Sequence, residues 1–491
     1  MRGPAPGILP AVAIDRAAAK PLYQQICDGY RAAIAERRLR AGQRLPSTRA
    51  LAAALGISRI PVLIAFDQLL AEGYFEARVG SGTFVSSTLP HDPDTLQRPS
   101  TRGAGRPPGP RPLARHAAAV LRAPPQPWLA GFGPFRMSEP ALHHFPFRVW
   151  SRLMARHTRR LGGRALNYGS PLGDLAFRQT LAAYLGAARG VRCEPEQIMV
   201  VSGSQQALEI TARVLLDPGD AAWVEEPGYG GARDALAMAG ARLVPVPVDD
   251  EGLDVAAGIR SAPRARAAVV TPSHQYPLGA TMSAARRLQL LDWAQERGAW
   301  IVEDDYDSEY RYDSQPIAAL QGIDRDARVV YIGTFSKVLF PALRVGYLVI
   351  PADLVDRFAA VREAMDICPP AAVAAVLTDF IAEGHFARHL RRTSALYRQR
   401  REVLVEELGR GPGRRFQVVG AEAGIHLVAL SGRPGDRAIA ERAAGAGLWA
   451  MPLSACYLGR PLRHGFVLGY GGTSVAEIPR AVQRLRRIIG A

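Results

Sequence analysis

Apolar residues recur at a spacing of four near the start of the chain, so Leu22, Ile26, Tyr30 and Ile34 fall on one face of a helix. The stretch "LPSTRALAAALGIS" then offers a helix cap at Ser47, a short helix through Leu55 and a turn at Gly56. Ser58 is placed to cap a third helix that turns Val62, Phe66, Leu69 and Leu70 inward, and "FEARVGSGTFV" reads as a β-hairpin. Three short helices followed by a hairpin predict a winged helix-turn-helix over residues 15–87.

The pattern changes at residue 88. Residues 88–127 are rich in Pro and Arg and nearly free of β-branched or aromatic anchors, so they bury too little apolar surface to offset the entropy of ordering, and an extended linker is expected. From residue 128 to 491 short apolar runs alternate with stretches of helical length: "QIMVVSG", "AAWVEE", "ARLVPVPV", "RAAVVTPS", "AWIVEDD", "RVVYIGT" and "VGYLVIP". This alternation predicts an α/β domain around a mostly parallel sheet, with ligands at the carboxyl ends of the strands. There the chain places "SGS", "EEPGY", "TPSHQ", "EDDYD" and "GTFSK".

Composition adds little to the fold but narrows the partners. The chain has 491 residues, is 48% hydrophobic and 22% charged, which is ordinary globular material. Its formal charge of +16 suits an acidic partner such as nucleic acid, although an Arg- and Ala-rich composition gives the same total without one. The four cysteines, Cys27, Cys193, Cys368 and Cys456, are too scattered for a zinc site or a disulfide framework, so no metal is expected. No apolar run is long enough for a membrane span and "MRGPAPGILPAVAIDR" has no secretory core with a cleavage site, so a cytoplasmic location is expected.

In the first domain the third helix is the one expected to enter the major groove of double-stranded DNA, led by Ser58 and Arg59. Arg44, Ser47, Thr48 and Arg49 are placed for phosphates, and Gly80 and Gly82 let the wing tip approach the backbone closely. A three-helix interaction domain with a basic surface is the other reading of the same residues. The ordered set "LPST", "LGISR" and "EGYFEARVGSGTFV" resembles the GntR-type winged helix of bacterial repressors. Ile60 and Pro61 depart from that family, which carries polar residues after the Ser-Arg pair.

In the second domain a lysine at a strand end, Lys337, can form a Schiff base with a carbonyl. Asp304 ends another strand, where a carboxylate can hold a pyridine nitrogen in its protonated form or simply cap a helix; Tyr306 can donate to a ring oxygen. Ser204 and Gln205 open a helix, and Thr334, Ser336 and Arg344 add further phosphate ligands. Tyr229 sits on a turn from which it can stack on a flat ring.

Taken in order, "YGSPLGDLAFRQTLAAYLGAARGV", "SGSQQAL", "EEPGYGG", "TPSHQYPLG", "EDDYDSEYRY" and "GTFSKVLFPALRVGY" resemble the fold-type I aminotransferases that use pyridoxal 5′-phosphate. Joined to the winged helix, the whole chain resembles the MocR-type regulators. That resemblance implies Lys337 as the Schiff-base lysine, Asp304 as the partner of the pyridine nitrogen, Tyr306 as the ring-oxygen donor and Arg344 as the phosphate arginine. It also implies a head-to-tail homodimer with exchanged DNA-binding domains, in which Tyr168 reaches a neighbour's phosphate. The expected function is regulation of transcription through pyridoxal phosphate, alone or with an amine or amino-acid effector; an aminotransferase with an accessory DNA-binding domain is the alternative. Two departures bear on the choice. The family's Asn-Pro-x-Gly is replaced by Tyr276-Pro277-Leu278-Gly279, which leaves His274 or Gln275 for the asparagine's role, and the carboxylate-binding arginine falls near Val467, with Arg463 the nearest substitute.

Overall fold

The computed structural model describes residues 12–88, 126–160, 162, 166–312, 317–410 and 416–490. Nearly all of the expected linker, residues 88–127, therefore lies outside the described residues. The chain divides into two compact units, residues 1–111 and 112–491.

The first unit holds α1 (Leu22–Ala35), α2 (Thr48–Leu55) and α3 (Arg59–Ala71), then β1 (Phe75–Arg78) paired antiparallel with β2 (Gly82–Val85). Ile26, Tyr30, Val62, Phe66, Leu69, Phe75 and Val85 close its core. Tyr30, Phe66 and Phe75 pack edge to face, with ring centroids 5.1 to 5.9 Å apart. One start and one stop follow the sequence. Ser47 Oγ accepts from the Ala50 amide at the head of α2, and Gly56, at φ 60°, closes that helix in the left-handed region.

Ser58 corrects an expectation. It occupies the cap position of α3 but makes no side-chain cap bond. The third residue of that helix is Pro61, which has no N–H for the hydroxyl to accept from.

The second unit is built on an eight-stranded sheet made from β3 (Ile198–Val201), β4 (Ala221–Glu226), β5 (Arg242–Asp249), β6 (Gly252–Leu253), β7 (Ala267–Val270), β8 (Trp300–Asp305), β9 (Val329–Thr334) and β10 (Gly346–Val349), in the spatial order β3-β10-β9-β8-β7-β4-β5-β6. Strands β5, β4, β7, β8 and β9 run parallel, while β10 is antiparallel to both its neighbours. Strands β3, β7 and β9 are buried along their whole length, which is why they appear in the sequence as largely apolar runs. One buried cluster packs Val224, Val269, Val302 and Ile332 with residues of the helices Ser204–Leu215, Gly230–Met238 and Val355–Asp366. Another packs Trp223, Ala268 and Ile301 with the helix Ala284–Arg297, where Trp223 and Trp293 stack at 3.9 Å.

A second, four-stranded antiparallel sheet follows, with β11 (Gln417–Val419), β12 (His426–Leu430), β13 (Met451–Pro452) and β14 (Gly465–Gly469) in the order β11-β12-β14-β13. It shares a large apolar cluster with the helices Leu175–Arg189, Ala371–Ala382 and His385–Gly409. No helix among the described residues is long and apolar enough to cross a membrane.

Candidate functional site

At the carboxyl ends of the central strands lies a cavity of about 170 Å³, lined by Ser204, Gln205, Tyr229, Asp304, Tyr306, Thr334, Ser336, Lys337 and Arg344, together with residues the sequence did not single out. Each strand exit delivers one part: β3 leads to Ser204, β4 to Tyr229, β8 to Asp304 and Tyr306, and β9 to Thr334, Ser336 and Lys337.

Lys337 is half-buried, and burial pulls its ammonium down to about 8, with Asp307 and Asp304 opposing that pull. Asp304 is buried and pushed up to about 7, first by burial and then by the neighbouring Asp305, while Lys337 draws it back. Asp304 Oδ1 has no hydrogen-bond partner, an expensive condition for a buried carboxyl oxygen. The guanidinium of Arg344 forms no ion pair with any described residue and faces Gly203, where an added Cβ would lie 3.1 Å from Arg344 Nη2. Arg344 itself sits in the left-handed region at φ 49°. Gly203, at φ 100°, turns the chain from β3 into the helix Ser204–Leu215, whose first amides therefore open toward the cavity. Thr334 Oγ1 donates to Ser336 Oγ at 3.1 Å, fixing both hydroxyls on the same rim.

A second layer sets these groups. Arg189 and Asp305 form a buried ion pair at 2.8 Å, Tyr331 donates its hydroxyl to Asp305 Oδ2 at 2.7 Å, and Arg189 donates to Ser273 Oγ at 2.9 Å. These bonds tie the end of β8 to the loop that carries His274. His274 Nδ1 lies 2.9 Å from Asp307 Oδ1 and 3.1 Å from the Tyr306 hydroxyl, so Asp307 and His274 together hold that phenol in place. Gln275 takes no part in the cavity: its amide donates to Glu225 Oε2 and the Pro227 carbonyl, and its oxygen accepts from the Leu278 amide. Of the two residues offered for the missing asparagine, it is therefore His274 that reaches the Tyr306 hydroxyl, while Gln275 bonds the Tyr276 carbonyl.

The sequence passed over Met137, Ser138, Thr271, Tyr276, Asp307, Pro341, Ile425 and His426, which complete the wall. His426 is buried and pulled down to about 4, by burial and then by His274, so it is neutral, and its Nε2 lies 3.2 Å from the Pro277 carbonyl. His274, Asp307 and His426 bring ligand-type atoms within 4.8 Å of one another, a grouping the scattered cysteines gave no reason to expect. Tyr168 is not among the wall residues; it is 77% exposed. Neither Arg463 nor the fully buried Val467 lines the cavity, where Arg344 is the one guanidinium among the described residues.

These residues fit pyridoxal phosphate. An orphaned carboxyl oxygen suits a ring nitrogen, an amine with a lowered pKa suits an aldehyde, and a free guanidinium beside a helix start and two hydroxyls suits a phosphate.

The first unit carries a separate polar surface. Arg59 Nε donates to Thr48 Oγ1 at 3.1 Å, joining the heads of α2 and α3. Arg44 and Arg49 are exposed and form no ion pair among the described residues. Gly80 and Gly82, at φ 72° and 105°, shape the turn between β1 and β2.

Residues 22–85 match the family of bacterial regulatory proteins called gntR, and residues 138–485 match aminotransferase class I and II. The chain is 42% identical to the probable rhizopine catabolism regulatory protein MocR of Rhizobium meliloti, over 96% of this chain and 94% of the relative. It is 31% identical to the HTH-type pyridoxine biosynthesis transcriptional regulator PdxR of Corynebacterium glutamicum, over 91% of each. Among solved structures it is similar to Pyrococcus horikoshii kynurenine aminotransferase in complex with PMP, with 27% identity and a TM-score of 0.67 over 77% of this chain and 93% of that one.

Proposed function

The chain belongs to the MocR-type regulators, transcriptional regulators in which a GntR DNA-binding domain is joined to an aminotransferase class I and II domain, and from that premise we propose that it senses pyridoxal 5′-phosphate, alone or with an amine effector, at Lys337. The observation that carries this reading is that Lys337, Asp304 and Arg344 line one cavity in which Asp304 Oδ1 is buried without a hydrogen-bond partner.

When bound, pyridoxal phosphate supplies an electrophilic aldehyde on an electron-withdrawing ring. Lys337 offers an amine that is partly neutral near pH 8, and Asp304 holds or accepts a proton at the orphaned Oδ1. Tyr306, kept in place by His274 and Asp307, donates toward a ring oxygen. Ser204, Gln205, Thr334, Ser336 and Arg344 bind phosphate, and Tyr229 covers the ring face. Tyr168 is exposed on its own chain and is offered to the cavity of a second copy in a head-to-tail homodimer.

Sensing requires that the ligand bind one DNA-affinity state better than the other. Among the described residues the wall holds one guanidinium, Arg344, which this reading commits to the phosphate, so an aminotransferase would need a second group to clamp a substrate carboxylate bidentately. The test is a gel shift on DNA upstream of the coding region, with and without pyridoxal phosphate and a panel of amines. Wild-type protein gives a specific complex whose midpoint moves with ligand, and Lys337→Ala keeps the complex but loses the movement. A ligand response preserved in Lys337→Ala would remove the lysine from the reading.

A further inference from the structure

Three large apolar side chains stand outward on adjacent turns of α3: Ile60 at 66% exposure, Leu63 at 36% and Ile64 at 45%. The opposite side of the same helix, Val62, Ala65, Phe66 and Leu69, is buried in the core, so α3 is apolar almost all round. A single exposed leucine is ordinary on a protein surface. Three together on the leading turns of the helix that enters the groove need an occupant.

Charge identifies that occupant as a polyanion. Arg59 begins the helix beside Ile60, and the exposed Arg44 and Arg49 have no acidic partner among the described residues. Asp67 is the one acid of α3 and lies one turn beyond Leu63 and Ile64, away from the head of the helix. The head of the helix is also open. Pro61 denies Ser58 its cap bond, which leaves the Ser58 hydroxyl and the first amides of α3 available to a phosphate oxygen.

A side chain without donors or acceptors cannot read a base edge by hydrogen bonding. In the major groove one base offers an apolar feature instead: thymine, through its 5-methyl group. Resting on the DNA-binding reading above, we propose that α3 selects its operator by packing Ile60, Leu63 and Ile64 against thymine methyls, while Arg44, Arg49 and Arg59 supply phosphate contacts that carry no sequence information. The half-site is accordingly rich in thymine where the first two turns of α3 meet it, and the protein tells thymine from uracil.

The experiment uses full-length protein and duplexes recovered from a random-sequence pool. Each thymine of the recovered half-site is replaced in turn by deoxyuridine, which keeps the base pair and removes the methyl. Affinity falls about fourfold at each contacted position, the loss of one buried methyl-sized group. Ile64→Ala, an exposed change that the core does not feel, shrinks that difference at one position while binding to an unrelated duplex stays the same. Equal affinity for thymine and uracil at every position would overturn the proposal and leave the regulatory function standing. A change in oligomeric state in Ile64→Ala, with the thymine preference intact, would assign the patch to a second copy of the chain. Failure to recover any preferred duplex would defeat the DNA-binding reading itself.

Discussion

Lys337 and Arg344 show how single residues are tuned by position. Because burial pulls the Lys337 ammonium from its ordinary 10.5 to about 8, the neutral amine, the only form that adds to a carbonyl, becomes abundant at a pH more than two below the ordinary one. The rate at which the protein takes up pyridoxal phosphate therefore rises about tenfold per unit below pH 8 and flattens above it. Stopped-flow absorbance across pH 6 to 10 checks this, and a rise continuing to pH 10 would contradict it. Arg344 carries the opposite tension. Its left-handed φ of 49° costs about 1 kcal/mol for a residue with a Cβ. Arg344→Gly relieves that cost, and the ligand-free protein melts no lower than wild type while affinity for pyridoxal phosphate drops at least tenfold, measured by calorimetry and by titration. These two positions were legible in the sequence because a strand end and a small-residue turn flank them. His426, Ile425 and Met137 were not, since they reach the wall from the start of β12, the residue before it and a segment before the large sheet, brought there by tertiary packing that leaves no local signal.

At the level of elements, the strands were legible because burial on both faces writes them as unbroken Val, Ile and Ala runs, and the parallel core of the large sheet follows that expectation. The small antiparallel sheet was not named in advance. Two of its strands, β11 and β13, are only three and two residues long, too short to show a period. Helix heads depend on single hydroxyls and carboxylates: Ser47 caps α2, and Asp174 accepts from the Phe177 amide to cap the helix Leu175–Arg189. Ser47→Ala removes the bond to Ala50 and destabilises the first unit by about 1 kcal/mol. Ser58→Ala, at the equivalent place on α3, costs much less because no cap bond exists there to lose. Urea unfolding followed by a probe in the first unit separates the two variants; equal losses would refute the account of Pro61.

Across the whole molecule the +16 charge sets how association responds to salt. Binding to specific duplex weakens steeply between about 50 and 200 mM salt, and Arg49→Ala lowers the log–log slope by about one while weakening all sequences alike. A slope unchanged by Arg49→Ala would place that residue off the phosphate backbone. Among the described residues, one core cluster runs from Val12 to Val85 and the others from Trp128 to Leu485. For natural variation, this means that substitutions on the outer face of α3 can accumulate without eroding the folding of the ligand cavity. On the reading proposed above, retargeting such a regulator to other operators would take a handful of surface changes and leave the chemistry of its cavity as it was.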